Sequence, residues 1–177
     1  MRKLEMTELG RLSIADAQKA EKTPLLIVLD NVRSLYNVGA VFRTADAFLC
    51  AGICLCGITA CPPNKEIYKT ALGAEETVAW SHFAQTNDAL LQARERGYQI
   101  IAVEQTTHSM ALQDFAVQAN VGYALVFGHE VKGVSDEVLQ MCDACVEIPQ
   151  FGAKHSLNIS VSAGVVLWEF SKKMRGL

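Results

Sequence analysis

The sequence contains no uncharged apolar run near the roughly 18 residues that a membrane span needs, and no charged-then-apolar leader opens it. A cytoplasmic location is therefore expected. It also lacks excess positive charge, since 16 Lys and Arg against 19 Asp and Glu leave a formal net charge of −3 and a sequence pI near 5.8. A chain-wide basic field is excluded, and any nucleic-acid contact must come from a local patch. Several short motifs are missing as well: no G-x-G-x-x-G, no G-x-x-x-x-G-K-[ST], no G-x-S-x-G and no H-E-x-x-H. Dinucleotide, P-loop, serine-elbow and zincin chemistry fall away in their usual forms. The cysteines lack zinc spacing, because Cys142-x-x-Cys145 would need Cys54-x-Cys56 as its partner pair. With Cys50 and Cys61 they sit within or beside apolar runs. Free thiols are expected, with no metal and no disulfide scaffold.

What is present is a chain of 177 residues, 50% of them apolar, which suits one compact domain burying about 70% of its unfolded-chain surface. Residues 1–23 mix Leu4, Met6, Leu9, Leu12 and Ile14 with charges at loose helical spacing. They read as a helical arm before a domain over residues 24–177. Leu25 to Leu29 is an unbroken apolar run, the pattern of a strand buried on both faces of a parallel sheet. Asn31 to Asn37 reads as the following loop. From Val38, apolar residues at 38, 41, 42, 45, 48 and 49 make one helical stripe. Arg43 points away from it, roughly 140° round from Val38.

The alternation continues. Gly52 to Gly57 is a second strand, Lys65 to Ala74 a basic loop, Glu76 to Phe83 a further strand, and Asn87 to Gly97 a helix capped by Asn87. Tyr98 to Val103 is a strand, Glu104 to Asn120 a polar loop with a short helix, and Val121 to Phe127 another strand. A glycine-containing loop then leads to a helix capped by Ser135. Cys142 to Ile148 is the last strand, and a final helix runs from about Leu157 to Lys173, with Leu157, Val161, Val165 and Trp168 on one face. The class is α/β, a mostly parallel sheet with helices on both faces, whose ligands bind beyond the carboxyl ends of the strands.

Three loops share that edge. They carry Asn37, Gly39 and Arg43; Gly128, Glu130 and Gly133; and Gly152, Ser156 and Asn158. In the third, Pro149 ends a strand and Ser156 with Asn158 sets side-chain donors and acceptors where a helix begins. The residues by themselves reach a small-molecule or nucleotide site on an α/β domain.

Together, Asn37-Val38-Gly39-Ala40-Val41-Phe42-Arg43-Thr44-Ala45, Phe127-Gly128-His129-Glu130-Val131-Lys132-Gly133, and Ile148-Pro149 through Gly152 to Ser156-Leu157-Asn158-Ile159-Ser160 resemble the three motifs of the SpoU/TrmH family of SPOUT-class RNA ribose methyltransferases. The resemblance covers roughly residues 24–173, in order. It implies transfer of a methyl group from S-adenosylmethionine to a ribose 2′-hydroxyl of tRNA or rRNA, tRNA being slightly favoured. It also implies a C-terminal trefoil knot and a homodimer with composite sites. General topology rules predict an unknotted doubly wound sheet instead. Asn37, Arg43, Glu130, Ser156 and Asn158 match catalytic or substrate positions, and Glu104, Gly128, Ile148 and Leu157 match cofactor contacts. Gln150 stands where the family often has methionine, and no separate RNA-recruiting domain precedes the motifs.

With a negative net charge, RNA contact is expected to be confined to Arg33, Arg43, Lys65, Lys69, Lys132 and Lys154. The 2′-hydroxyl must also lose a proton. Imidazole, titrating at about 6.5, makes His155 the natural base by residue type. The resemblance places the central role on Arg43 instead. Two other readings compete: a non-catalytic RNA-binding or assembly module on the same fold, and a flavodoxin-like nucleotide binder.

Overall fold

The computed structural model describes residues 1–177 except for the side chain of Met6, so that residue's expected share in the arm's apolar set lies outside the described residues. A 3-10 turn at Met6–Leu9 is followed by α1 (Ile14–Lys19), β1 (Thr23–Asp30), α2 (Leu35–Ala47), β2 (Cys50–Cys56), α3 (Lys65–Ala71) and a second 3-10 turn at Ala74–Glu76. Then come β3 (Trp80–Phe83), α4 (Thr86–Glu95), β4 (Tyr98–Val103), β5 (Met110–Ala111) and β6 (Gly122–Phe127). The chain ends with α5 (Asp136–Leu139), β7 (Ala144–Glu147) and α6 (Ile159–Arg175). The strands form one sheet in the order β3-β2-β1-β6-β4-β7-β5, and every pairing is parallel. No described helix is long and apolar enough to cross a membrane.

The apolar run in β1 is continuous because both faces of the strand are covered. Leu25, Ile27 and Leu29 enter the core shared with α2, α3 and α6, while Leu26 and Val28 enter the core shared with α4 and α5. Side chains alternate faces along a strand, so an apolar residue is needed at every position. Phe170 of α6 is fully buried, stacked on Phe115 at 5.6 Å between ring centroids and edge-on to Tyr123 at 5.2 Å. This cluster fastens the long connection after β5 to the last helix. Lys173 strengthens the same join by donating to the carbonyls of Leu112, Gln113 and Phe115.

Several local expectations are corrected. Helix α2 begins at Leu35, inside the expected loop, because the Ser34 side chain accepts from the Asn37 N–H and so starts the helix a turn early. The basic stretch from Lys65 is helix α3 rather than a loop. Asn64 caps it by accepting from the Glu66 N–H, and Ile67 and Ala71, four residues apart, are buried. A Cβ on Gly39 would lie 2.2 Å from the Ile67 carbonyl oxygen. Gly39 therefore serves the close contact between α2 and α3. Helix α4 starts at Thr86, with no side-chain cap from Gln85 and Asn87 already inside it. The stretch from Glu104 to Asn120 contains the short strand β5 and turns instead of a helix. On α6 the apolar stripe of Val161, Val165 and Trp168 is exposed, and the core is met by Ala163, Val166, Leu167 and Phe170.

Candidate active site

Because the sheet is parallel, the turns after β1, β6 and β7 all emerge at its carboxyl edge. The turn after β6 is closed by the His129 N–H donating to the Gly133 carbonyl at 3.0 Å and the Gly133 N–H donating to the His129 carbonyl at 2.8 Å. Inside it, His129 Nδ1 accepts from the Val131 N–H at 3.0 Å and the Lys132 N–H at 3.3 Å. Gly133 has φ of 68°, and a Cβ there would lie 2.2 Å from Glu104 Oε2. Only glycine fits that left-handed, crowded position. Glu104 reaches the turn from the end of β4, accepting from the Val134 N–H at 3.0 Å and the Gln105 N–H at 2.9 Å. The turn is thus pinned from within and from behind.

Its rigidity aims Glu130 at the start of α2. The carboxylate accepts from the Ser34 N–H at 2.8 Å, the Arg33 N–H at 3.1 Å and Asn37 Nδ2 at 3.2 Å. Asn37 Oδ1 in turn accepts from Asn158 Nδ2 at 3.1 Å, and Asn158 Oδ1 caps α6 by accepting from the Ser160 N–H at 2.9 Å. One chain of hydrogen bonds, Glu130 to Asn37 to Asn158, therefore ties all three loops. Burial pushes the Glu130 carboxyl upward, but hydrogen bonds from the N–H groups of Arg33, Ser34 and Glu130 and from Asn37 outweigh it, leaving the group below its ordinary value. The carboxylate is held ionised at the positive end of α2. Asn158 is both a helix cap and a link, so the plain capping role and the functional role coexist in one side chain.

Beside this network lies a cavity of about 640 Å³ lined by Glu104, Gly128, Glu130, Gly133, Ser156, Leu157 and Asn158, among others. Ile148 is on an adjoining cleft of about 90 Å³ that shares Glu104, Ser156 and Leu157 with it. Lys154 and His155 border a third recess with Gln150 and Gly152. Asn37 is buried behind the wall that Glu130 and Asn158 form. Arg43 is elsewhere, on a separate cavity of about 550 Å³ with Arg11, Asp46 and Thr77. Within one chain, then, four of the five polar motif residues converge and Arg43 does not. Among the expected cations, Lys132 is at the rim of the large cavity, Arg33 is at the start of α2, and Lys65 and Lys69 are on α3, with Lys69 paired to Glu66 at 2.7 Å.

Among the lining residues that the sequence left without a role, two make hydrogen bonds that shape the site. Gln105 donates from Nε2 to the His155 carbonyl at 3.3 Å, joining the β4 end to the third loop. His129 organises the second turn, and its sequence signal was its place between Gly128 and Glu130.

The sequence profile of the SpoU rRNA Methylase family matches residues 24–168, most of the chain. The chain belongs to this family. YacO of Bacillus subtilis, named for the TrmH family of tRNA/rRNA methyltransferases, is 32% identical over 170 residues, covering 96% of this chain and 66% of its own. The 23S rRNA (guanosine-2′-O-)-methyltransferase RlmB of Vibrio parahaemolyticus is 31% identical over 92% of this chain and 64% of its own. The SpoU chain described here thus spans just under two thirds of the length of these curated relatives. Among solved structures, the TrmH/SpoU tRNA modifying enzyme of A. aeolicus superposes with a TM-score of 0.81 at 25% identity, covering 92% of this chain and 81% of its own. An AdoMet-bound rRNA methyltransferase from Sinorhizobium meliloti gives 0.78 at 27% identity, covering 91% and 60%.

Proposed function

We propose that this SpoU-family chain is the catalytic domain of an S-adenosylmethionine-dependent RNA ribose 2′-O-methyltransferase, acting on tRNA or rRNA, with tRNA slightly favoured. The observation that carries this reading is the Glu130–Asn37–Asn158 chain beside the cavity of about 640 Å³. The cavity falls within the roughly 300–1,000 Å³ of small-molecule sites. Its lining, with Gly128, Gly133, Leu139 and Leu157 beside the polar side chains of Glu104, Ser156 and Asn158, fits a cofactor that combines a nucleoside with an amino-acid tail. Glu104, Gly128 and Leu157 on the main cavity, with Ile148 on the adjoining cleft, would hold S-adenosylmethionine. When bound, that group supplies an electrophilic sulfonium methyl.

The chain's own part is to hold the ribose and ease loss of its proton. Ser156 and Asn158 offer a hydroxyl and an amide at the cavity wall, suited to orienting a 2′-hydroxyl. Glu130 fixes the start of α2 and Asn37 with it. Arg43 is assigned the stabilisation of the developing alkoxide or of a neighbouring phosphate. Since Arg43 lies on another cavity of its own chain, this role requires a second copy. The exposed stripe of Val161, Val165 and Trp168 on α6 is the surface we assign to that homodimer. The domain runs over residues 24–177 behind the arm at 1–23, and the knot is carried over with the family.

The test is calorimetric binding of S-adenosylmethionine, followed by transfer of labelled methyl to bulk tRNA and to bulk rRNA. Alkaline hydrolysis should then fail at the labelled nucleotide, because a 2′-O-methyl group removes the internal nucleophile. Label on a base would refute the ribose assignment, and absence of cofactor binding would favour the non-catalytic module.

A further inference from the structure

Of the seven phenylalanines, only Phe151 is exposed, and it is 97% so; the other six are buried or half-buried. It sits in the third loop, between Gln150 and Gly152, both of which face the recess bordered by Lys154 and His155 while Phe151 does not. Its ring therefore stands out from the loop. The same edge carries further exposed apolar side chains and exposed cations: Tyr36, whose hydroxyl donates to Glu66, and Arg33 after β1, Ile58 and Lys65 after β2, and Val131 next to Lys132 after β6, each apolar member at least half exposed. Among the described residues none of Arg33, Lys65, Lys132 and Lys154 takes part in an ion pair. In a chain of net charge −3, these unpaired cations make a local positive patch at one edge that suits an anionic partner, and the exposed rings of Phe151 and Tyr36 suit one with flat, exposed faces.

Single-stranded RNA has both features: phosphates at regular spacing and bases whose π-faces stack on aromatic side chains. A paired helix hides those faces and offers phosphates, 2′-hydroxyls and groove edges instead. We propose that Phe151 is the stacking platform for an unpaired nucleobase beside the target ribose, with Lys154 contacting the adjoining phosphate. The inference rests on the RNA-methyltransferase reading and adds the form of RNA recognised. The third loop then reads the substrate on its outer side and lines the cavity on its inner side. The free cations of one chain set a shallow salt dependence, about −0.7 per phosphate on a single strand.

The experiment uses a single-stranded RNA 12-mer carrying 2-aminopurine, and the same strand annealed to its complement. Binding is followed by fluorescence in the wild type and in Phe151→Ala, Phe151→Leu and Phe151→Trp. The wild type should bind the single strand with quenching of the 2-aminopurine and bind the duplex more weakly. Phe151→Ala and Phe151→Leu should lose the quenching and weaken binding roughly ten- to hundredfold, the scale of one lost base–aromatic stack, whereas Phe151→Trp should stay within about threefold. With bulk RNA as methyl acceptor, Phe151→Ala should raise KM and leave kcat within about threefold. Quenching in a wild type that transfers no methyl would support the platform while refuting the enzymatic reading. Equal binding by wild type and Phe151→Ala, equal affinity of Phe151→Leu and Phe151→Trp, or a change in oligomeric mass on Phe151→Ala would overturn the platform, the last assigning the ring to a subunit interface.

Discussion

Replacing Glu130 by Gln isolates the charge at the centre of the site while keeping its shape. The carboxylate accepts three hydrogen bonds, two from backbone N–H groups at the start of α2 and one from Asn37. Hydrogen bonds to a charged acceptor are worth about 1.5–3 kcal/mol each when well shielded. Glu130 is largely open to water, which discounts that range heavily. Gln keeps one carbonyl oxygen but turns an NH2 group toward one of the donors, so one bond is lost outright and the others weaken. A net loss of about 1–2 kcal/mol is expected, and for a chain of this size that lowers Tm by roughly 2–8 °C. The folded carboxyl titrates below its ordinary value, so its stabilisation is fully present above the unfolded-state pKa of about 4.3 and is lost as pH falls through the folded value. Scanning calorimetry of both proteins at one fixed protein concentration, stepped down from pH 7, should show the Tm gap closing only below about pH 4.3. A gap absent at pH 7, or constant down to the lowest pH at which both proteins fold, would refute the argument.

Arg43→Ala and His155→Ala should both retain cofactor binding by calorimetry, with only the former losing transfer, by roughly a hundredfold or more. A dead His155→Ala, together with a wild-type rate that rises through the imidazole range of about 6.5, would reverse the assignment. Since Arg43 and Asn158 are on different cavities of one chain, mixing Arg43→Ala with Asn158→Ala subunits should restore transfer in the mixed dimer; no recovery would place Arg43 outside a shared site. His129→Asn should hold the second turn, because Asn Oδ1 can take the place of Nδ1 as acceptor, whereas His129→Ala should weaken cofactor binding about tenfold; equal affinities would deny His129 a positioning role. Phe170→Ala should cost about 3–5 kcal/mol in denaturant unfolding, as expected for a buried aromatic in a closed cluster, and a loss under about 1 kcal/mol would show that the Phe115–Tyr123 contact closes the gap.

How much of this was legible in the sequence depended on how local its cause was. β1 and β6 could be read because burial on both faces writes itself as an unbroken apolar run. Helix α3 could not, because its buried face is only Ile67 and Ala71 and its partner is a glycine on α2, visible only once the two helices meet. The loop pattern put the polar motif positions at one edge and the resemblance gave them roles, yet their linkage spans 121 residues between Asn37 and Asn158 and is set by a parallel sheet that brings three loops together. Helical periodicity showed that Val161, Val165 and Trp168 share a face, but periodicity cannot tell which of two apolar faces meets the core. That ambiguity bears on function. A single chain leaves one apolar face of α6 open and sets Arg43 apart from Glu130, Ser156 and Asn158, and the second copy proposed above would account for both.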